Sequence, residues 1–365
     1  ITDSSTDANS VTNYDIFMIN VVAANDAPIL ANLGGNTPSF TEDAGAADID
    51  VGNDVTITDP EGASDFNGGN VRVSFNSGLQ ALEDVLSVES IGSSTGEIGV
   101  VGSEIQYEGS AIGDIDGTDN GSGTALQINL DAAAATPAAV EALIKAIQYN
   151  NTSNTPNTTN RVLDVTVNDG DGGSATSSVS QVTMSVATAN DEPTFTASAA
   201  DPTFFSSPGT PVTVFSGSPT PIDVNTIEGD NVIAFTLTVT NVQDGVGGNA
   251  EQLIIDNIPI TLESGSSNTG QASSTFGTFN YSVSQATQTS TVVLDAFSIT
   301  EAQFESIVGG IQYDNTEGSP TNVSKTVTIT EIQDNGGTSP GDDLNDAVGV
   351  SSSVAVSAAN VPTLS

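Results

Sequence analysis

The chain has no cysteine, histidine or tryptophan among its 365 residues. Without Cys or His, the protein cannot form disulfides, thiolate or imidazole metal sites, cysteine nucleophiles or a Ser-His-Asp triad. Any metal that binds here must therefore be held by oxygen atoms. Oxygen-only sites select hard cations, and Ca²⁺ is the abundant extracellular ion that accepts irregular cages of carboxylates and carbonyls.

Basic residues are almost missing as well. Arg72, Lys145, Arg161 and Lys325 stand against 46 carboxylates, which gives a formal net charge of -42. Few carboxylates can have an ion-pair partner, so a compact chain must keep its acids in solvent or neutralise them with bound cations. The same deficit argues against nucleic acid, whose phosphates require Lys and Arg, and disfavours anionic membranes.

Long apolar runs are absent, so the sequence predicts no membrane insertion and has neither a signal peptide nor a span of transmembrane length. Aromatic residues make up only 5% of the chain. A pair of carboxylates could in principle serve a glycosidase, but sugar clefts are usually lined with aromatic rings. We therefore expect no enzymatic activity.

The hydrophobic residues that are present, 36% of the chain, come in short runs between Gly, Asn, Asp and Pro clusters. Such spacing predicts strands, with turn signals about every 8–12 residues as in a Greek-key or immunoglobulin-like sandwich. We predict strands at 54–57, 71–75, 85–91, 104–107, 126–130, 147–150 and 162–167. The expected fold class is all-β, with tandem Greek-key β-sandwiches of cadherin or immunoglobulin type.

An internal repeat organises these strands. Segments 14–28, 178–193 and 350–362 each alternate in hydrophobicity and then run into Ala-Asn and Pro. Segments 139–151 and 303–315 each place apolar residues at helical spacing and continue into Ile-Gln-Tyr. The period is roughly 165 residues. It predicts repeats at 27–190 and 191–365, each with one short helix, begun near Pro137 in the first and capped by Thr300 in the second.

Residues 1–26 are the last strand of a preceding repeat in this scheme. A lone strand needs a sheet for its edge hydrogen bonds and its apolar face. Two explanations remain open from the sequence. The strand either completes a preceding domain in a continuous tandem array, or it is donated to a neighbouring subunit, which would give self-association into a fibre.

Several motifs in a fixed order resemble the cadherin-like repeats of large bacterial surface proteins and adhesins. They are Asn-Asp-Ala-Pro at 25–28, Thr-Glu-Asp at 41–43, Asp-Pro-Glu-Gly at 59–62, the stretch VEALIKAIQYNNTSNTP at 140–156 and VTVNDGDGGSA at 165–175. The first repeat carries the resemblance nearly throughout, and the second carries it at its ends and in its helix-strand segment.

The resemblance implies an extracellular stalk or fibre, at the cell surface, whose modules bind Ca²⁺ in acidic loops and domain junctions. The residues in ligand-type positions are Asn25, Asp26, Glu42, Asp43, Asp59, Glu61, Asp65, Asn168, Asp169, Asp171, Asn190, Asp191, Glu228, Asp230 and Asp334. The second repeat lacks Thr-Glu-Asp and has Thr-Ile-Glu-Gly-Asp at 226–230 and Gln-Asp-Asn-Gly-Gly at 333–337 instead. Fewer or weaker sites are expected there.

Each acidic loop also has a simpler interpretation. The loop 168–173 could be a hairpin turn signalled by Asp-Gly, and 59–62 could be a turn with Pro at its second position. Two carboxylates in one turn, and further acids nearby, favour calcium in both. Segment 114–121 superficially resembles a helix-loop-helix calcium site, but its acids are out of step and it lacks the closing Glu, so a solvated loop is expected.

The function expected from the sequence is that of a structural calcium-binding module of a bacterial fibre or stalk. The alternative is an adhesin module that recognises a glycan or a partner protein through an exposed aromatic patch. Phe204, Phe205 and Phe215 are the candidates for such a patch, although a buried edge strand suits them better.

Overall fold

The computed structural model describes residues 25–60, 65–172, 175–206, 209–244, 250–262, 269–337 and 343–358. The chain forms two compact units. The first contains the chain up to Ser39, Ala46–Asn150 and Thr159–Ser185, and the second contains Phe40–Gly45, Asn151–Thr158 and the chain from Val186 onward. The predicted fold class is confirmed, because both units are all-β sandwiches with one short helix each. The repeat boundaries at 27–190 and 191–365 stay a prediction.

The first sandwich is built on a sheet of eight strands. The chain order of its elements is β1 (Ile29–Ala31), β2 (Ser39–Thr41), β3 (Ala47–Asp48), β4 (Thr56–Thr58), β5 (Asn70–Ser77), β6 (Asp84–Val88), β7 (Ile98–Val101), β8 (Glu104–Tyr107), β9 (Ser110–Asn120), β10 (Leu126–Leu130), α1 (Pro137–Lys145), β11 (Ile147–Asn151), β12 (Arg161–Asn168) and β13 (Ser180–Ala187). The large sheet has the order β2-β13-β12-β5-β10-β9-β8-β7, and the smaller ones are β3-β11-β6 and β1-β4.

The second sandwich repeats this plan. Its elements are β14 (Thr194–Thr196), β15 (Ser198–Ala199), β16 (Thr203–Phe205), β17 (Val212–Thr213), β18 (Phe215–Ser216), β19 (Asp223–Asn225), β20 (Val232–Val239), β21 (Glu251–Ile255), β22 (Ile258–Thr261), β23 (Thr269–Ser274), β24 (Gly277–Ala286), β25 (Thr289–Asp295), α2 (Glu301–Gly309), β26 (Gln312–Asn315), β27 (Lys325–Asp334), β28 (Leu344–Asn345) and β29 (Val350–Ser357). Its large sheet runs β16-β29-β27-β20-β25-β24-β23, and its second sheet runs β17-β26-β21-β22.

Alternation of apolar and polar residues places one face of each long strand in the core. In β12 every second residue is fully buried, and in β13 the same alternation buries Val182 and Met184. The second unit has a continuous apolar core in which Phe304 of α2 packs edge-to-face on Phe195 and Phe235. Each helix therefore closes its sandwich with one apolar face.

Both helices begin where the sequence predicts. Thr136 caps α1 through a hydrogen bond from the Ala139 backbone, and Pro137 occupies the first turn. Thr300 caps α2 in a full capping box with Gln303. Each cap satisfies backbone donors that the helix cannot satisfy itself, so both starts are encoded locally.

The structure contradicts the prediction for segment 114–121 and agrees with the one for Phe204. Segment 114–121 is not a loop, since 114–120 belong to strand β9, and that prediction is wrong. Pairing with β8 and β10 on either side overrides the local Asp-Gly turn signals, with an irregular register opposite Leu126. The preference for a buried edge strand at Phe204 is right, because β16 is the edge strand and Phe204 is fully buried while Phe205 is half exposed.

In the described residues, no helix is long and apolar enough to cross a membrane. The N-terminal strand predicted within residues 1–26 lies largely outside the described residues, which begin at Asn25.

Candidate cation site

Carboxylates from four separate chain segments gather at one place in the second unit. We call this group the acidic cluster, and its members are Glu42, Asp43, Asn190, Asp191, Glu228, Asp230 and Asp334. A polar cleft of about 270 Å³ is lined by Asn190, Glu228, Asp230 and Gly336, among others. The cluster thus combines residues that are far apart in sequence and were predicted separately as ligands.

Glu42 follows strand β2 and is only 4% exposed. Its backbone amide donates to the Ala187 carbonyl, and its carboxylate Oε2 accepts a hydrogen bond of 3.1 Å from the Ala189 amide. The other carboxylate oxygen, Oε1, is buried and has no hydrogen-bond donor in the described structure. A buried carboxylate oxygen without a donor is costly, so it calls for a cation or a proton.

Asp334 at the end of β27 is fully buried and shows the same pattern. Its Oδ1 accepts hydrogen bonds from the Asn190 side-chain amide at 3.2 Å and from the Gly336 backbone at 3.1 Å. Its Oδ2 has no donor among the described residues. Asp334 therefore offers one oxygen that no described residue neutralises.

Gly336 makes this arrangement possible. A Cβ at this position would lie 1.6 Å from Asn190 Oδ1 and 2.6 Å from Asp230 Oδ2. Both oxygens are ligand-type atoms, and only a residue without a side chain lets the backbone approach them so closely. The glycine thus keeps space open between two oxygen donors.

The loop 226–230 supplies the third side of the cluster. Thr226 is fully buried, and it fixes the loop by donating its hydroxyl to the Asp230 carbonyl and its backbone amide to Glu301 of α2. Glu228 accepts a long hydrogen bond of 3.4 Å from the Asp191 amide. Glu228 Oε1 and Asp191 Oδ2 are both buried without a donor in the described structure.

Electrostatics at the cluster are unfavourable for a bare set of anions. Burial raises the pKa of Glu42, Asp191, Glu228 and Asp334, and neighbouring carboxylates raise each of them further. For Glu42 the neighbours are Asp191, Asp43 and Glu228, in that order. A bound divalent cation would reverse these effects, because it favours the charged form of every ligand.

No ion pair among the described residues involves a member of the acidic cluster. Arg161 pairs with Asp84 and Lys325 pairs with Glu251, and all four side chains are fully buried. Arg72 pairs with Asp119 on the first unit. The fourth basic residue, Lys145, ends helix α1 of the first unit. Since no described basic side chain pairs with the acidic cluster, protons or ions from solution remain to neutralise it.

The described residues nevertheless contain no group of three or more carboxylates that already converges around a single point in ligand geometry. Ca²⁺ ligands lie about 2.3–2.6 Å from the ion, so these side chains would have to change rotamer to hold one. The chemistry of the donor set and its orphaned buried oxygens fit a hard cation.

The first unit contains a second version of the same arrangement. The Asn25 side-chain amide donates to Asp169 Oδ1 and Oδ2 at 3.3 and 3.2 Å, and to the Gly172 carbonyl at 3.0 Å. Asp169 is fully buried, and its Oδ1 accepts from the Asp171 amide at 3.0 Å. Asn25 and Asp169 are 144 residues apart, as are Asn190 and Asp334, so the two contacts are repeats of each other.

The remaining predicted ligands of the first unit lie near turns. Asp59 follows β4 and is half-buried, and Asp65 accepts from the Asn67 amide. Asn168 bonds the Gly170 amide and the Thr176 hydroxyl, so its side chain organises the turn. Asp26 is exposed, and Glu61 lies outside the described residues.

Sequence reasoning missed two features. Asp343, only 8% exposed, stands beside Asp334 and raises its pKa, after burial and the charge of Asp230. The buried ion pairs were missed as well, although Arg161 and Lys325 both follow the Ile-Gln-Tyr motif by the same number of residues. That repeated basic position was a signal that could have found them.

Comparison with known proteins leaves the chain without an assigned family. No family model matches it, and no curated protein matches. Among solved structures it is similar to a collagen adhesin (CNA) from S. aureus, with 12% identity over 92% of this chain and 93% of that chain and a TM-score of 0.21. It is also similar to Drosophila N-cadherin EC1-3, with 8% identity over 92% of this chain and 69% of that chain and a TM-score of 0.18.

Proposed function

We propose that this chain is a structural calcium-binding module of an extracellular bacterial fibre or stalk, and that Ca²⁺ bound at the acidic cluster stiffens it. One observation carries the proposal. Four carboxylates of one cluster, those of Glu42, Asp191, Glu228 and Asp334, each keep a buried oxygen without a donor in the described structure. A cation that binds these oxygens removes both the desolvation cost and the mutual repulsion.

Calcium suits the donor set better than other common ions. The available atoms are carboxylate, amide and carbonyl oxygens, which suit hard cations, and the chain has no Cys or His for softer metals. Mg²⁺ requires near-ideal octahedral geometry and is reluctant to lose its water, whereas Ca²⁺ tolerates irregular cages. The cluster is irregular, since its donors come from four segments with different backbone conformations.

The mechanical consequence follows from those segments. Residues 42–43, 190–191, 228–230 and 334 meet at the cluster through hydrogen bonds, one of them as long as 3.4 Å. An ion bound to all of them acts as a cross-link of the kind that couples metal binding to folding. Without it, repulsion loosens these segments, and the module loses the stiffness that a stalk requires.

Calcium binding is tested by calorimetric titration of the whole, chelator-treated chain. The variant Asp334→Asn removes the orphaned carboxylate charge, and Asp346→Asn removes an equal charge at an exposed position of the same unit. We expect Ca²⁺ binding in the parent chain and in Asp346→Asn, and a loss of at least tenfold in affinity in Asp334→Asn. Equal binding by both variants would overturn the assignment of the site.

The stiffening is tested separately by hydrogen exchange. Calcium should slow exchange of backbone amides at 42–43, 190–191 and 228–230, while amides of β5 in the first unit serve as an internal reference. If calcium binds without protecting these segments, then the ion has no structural role at the cluster.

A further inference from the structure

The large sheet of the second unit ends one strand earlier than that of the first. Counted from the last strand of each unit, β13-β12-β5-β10-β9-β8 corresponds to β29-β27-β20-β25-β24-β23. In the first unit β7 continues the sheet beyond β8, whereas β23 has no further neighbour among the described residues. The strand that follows β21 in the second unit is β22, which pairs with β21 in the smaller sheet. The second unit therefore has a free sheet edge where the first has one more strand.

This edge presents backbone groups that can pair with another strand. In an antiparallel pair, alternate residues direct their N–H and C=O at the partner strand, and the others direct theirs away from it. Strand β23 pairs on one side with β24, so every second residue of Thr269–Ser274 has its N–H and C=O on the free side. An edge of this kind is a template for a further strand unless something blocks it.

The usual obstacles to edge pairing are missing from this part of the chain. Proteins block free edges with charged side chains, prolines and bulges. Residues 264–294 contain no charged residue and no proline, and β23 pairs with β24 in a register without a shift. In the first unit, the register of β8 and β9 shifts between Ile105 and Gln106. Residues 98–120 there carry five acids, namely Glu104, Glu108, Asp114, Asp116 and Asp119.

Strand β23 is held in position on its paired side. The Tyr281 ring of β24 lies against the β23 backbone at Gly270, where a Cβ would come within 2.8 Å of the ring. An aromatic ring over a glycine of the neighbouring strand stabilises a sheet edge. On the exposed face, the Gln271 side-chain amide donates to Asn280 Oδ1 at 3.3 Å. The free edge is thus ordered before a partner arrives, which lowers the entropy cost of binding.

The described carboxylates that bond to this hairpin lie away from the free edge. Asp256 accepts hydrogen bonds from the Thr275 amide and hydroxyl at 2.7 and 2.9 Å, at the turn between β23 and β24. Asp295 of β25, two strands in from the edge, accepts from the Asn280 side chain at 3.1 Å. In a chain with a formal charge of -42, two copies repel each other wherever their acidic surfaces meet. The uncharged edge is a place where they can approach.

We propose that β23 pairs with β23 of a second copy of this chain in antiparallel orientation, so that two large sheets continue as one across a twofold axis. Such a contact is isologous, because each copy presents the same edge. It places only the uncharged side chains of Thr269–Ser274 opposite one another, so no like charges face each other across the new ladder. The pairing goes beyond the structural role of calcium, because it joins two modules side by side.

The association is tested by sedimentation equilibrium of the whole, calcium-saturated chain. We expect a reversible dimer that becomes tighter as salt screens the net charge. Ser273→Glu places a carboxylate on β23 and should weaken the dimer at least tenfold. Ser351→Glu adds the same charge at an exposed position of β29, inside the same sheet, and should change the dimer less than twofold. A chain that stays monomeric up to its solubility limit, or two variants that melt like the parent and dimerise equally, would overturn the proposal.

A single nitroxide label shows which surface forms the dimer. The chain has no cysteine, so Ser282→Cys, at an exposed position of β24, gives one attachment site and leaves β23 unchanged. In the proposed pairing, three strand spacings of about 4.8 Å and at most about 20 Å along the strands separate the two positions. Pulsed dipolar spectroscopy should therefore give a distance below roughly 35 Å between the labels, linkers included. A dimer with the labels farther apart would use another surface, such as a strand donated from 14–21, and would contradict the pairing.

Discussion

Asn190 donates its side-chain amide to the fully buried carboxylate of Asp334 at 3.2 Å, across 144 residues of sequence. The first unit repeats the contact between Asn25 and Asp169 at the same separation. In each unit the carboxylate also accepts a backbone amide two residues further on. The asparagine thus sets the orientation of a buried aspartate in each unit, and Asp334 keeps one oxygen without a donor among the described residues.

Calcium should stabilise the second unit. At a Ca²⁺ concentration a hundred times the Kd, the ion adds roughly 2.7 kcal/mol to the free energy of unfolding, which is a rise of roughly 5–10 °C in melting temperature. Calorimetric scans with calcium and with EDTA measure this shift. Asp334→Asn should lose most of the shift yet melt no lower than the parent in EDTA, because it removes a repelling charge. An unchanged parent melting temperature in EDTA would contradict the cluster as a calcium site.

The pH dependence should change sign when calcium is bound. Glu42, Asp191, Glu228 and Asp334 have a raised pKa in the folded state, mainly through burial, relative to ordinary values of 4.5 for Glu and 3.8 for Asp. The folded state then binds more protons than the unfolded state in the window above those values. Without calcium, the stability from these groups is present at low pH and is lost as the pH rises through the raised pKa values.

With calcium the opposite slope is expected, because protons compete with the ion for the same oxygens. Unfolding in urea between roughly pH 3 and pH 7, with calcium or EDTA, measures both slopes, because this range begins below the ordinary pKa values of Asp and Glu, about 4. The double variant Asp191→Asn, Glu228→Gln should flatten both curves, whereas Asp346→Asn should leave them unchanged. Parallel slopes with and without calcium would show that the ion and the protons act at different places.

Gly336 should not tolerate a side chain. In Gly336→Ala, the new Cβ would meet Asn190 Oδ1 at 1.6 Å, so the Asn190 amide must move off Asp334. We expect a loss of about 1–3 kcal/mol in the free energy of unfolding, as for a buried hydrogen bond that is broken, and weaker calcium binding. Gly318→Ala is the matched control, since nothing lies within 4 Å of its Cβ position. Equal stability of Gly336→Ala and Gly318→Ala would mean that the position of the Asn190 side chain does not contribute to the free energy of unfolding.

Much of the fold follows from local signals, and the site follows from them only in part. Strand β10 occupies 126–130 as predicted, and the Thr300 capping box is legible because its partners are three residues apart. The acidic motifs marked the ligand-type residues, but no motif could show that Glu42 would stand beside Asp191, because that depends on how distant segments pack. The assignment of 40–45 and 151–158 to the second unit has the same origin.

The buried ion pair of the second unit should need both of its charges for stability, and arginine should be able to replace lysine in it. Lys325 Nζ lies 2.7 Å from Glu251 Oε1, with both side chains fully buried. Burial raises the pKa of Glu251, although Lys325 opposes the shift.

Lys325→Met leaves the Glu251 carboxylate buried without its cation, so we expect a loss of about 3–5 kcal/mol in the free energy of unfolding. Lys325→Arg copies the first unit, where Arg161 pairs with Asp84, and should retain most of the stability. Urea unfolding of the two variants measures the difference. A Met variant as stable as the Arg variant would mean that packing at this position, and not the charge pair, holds β27 to β21.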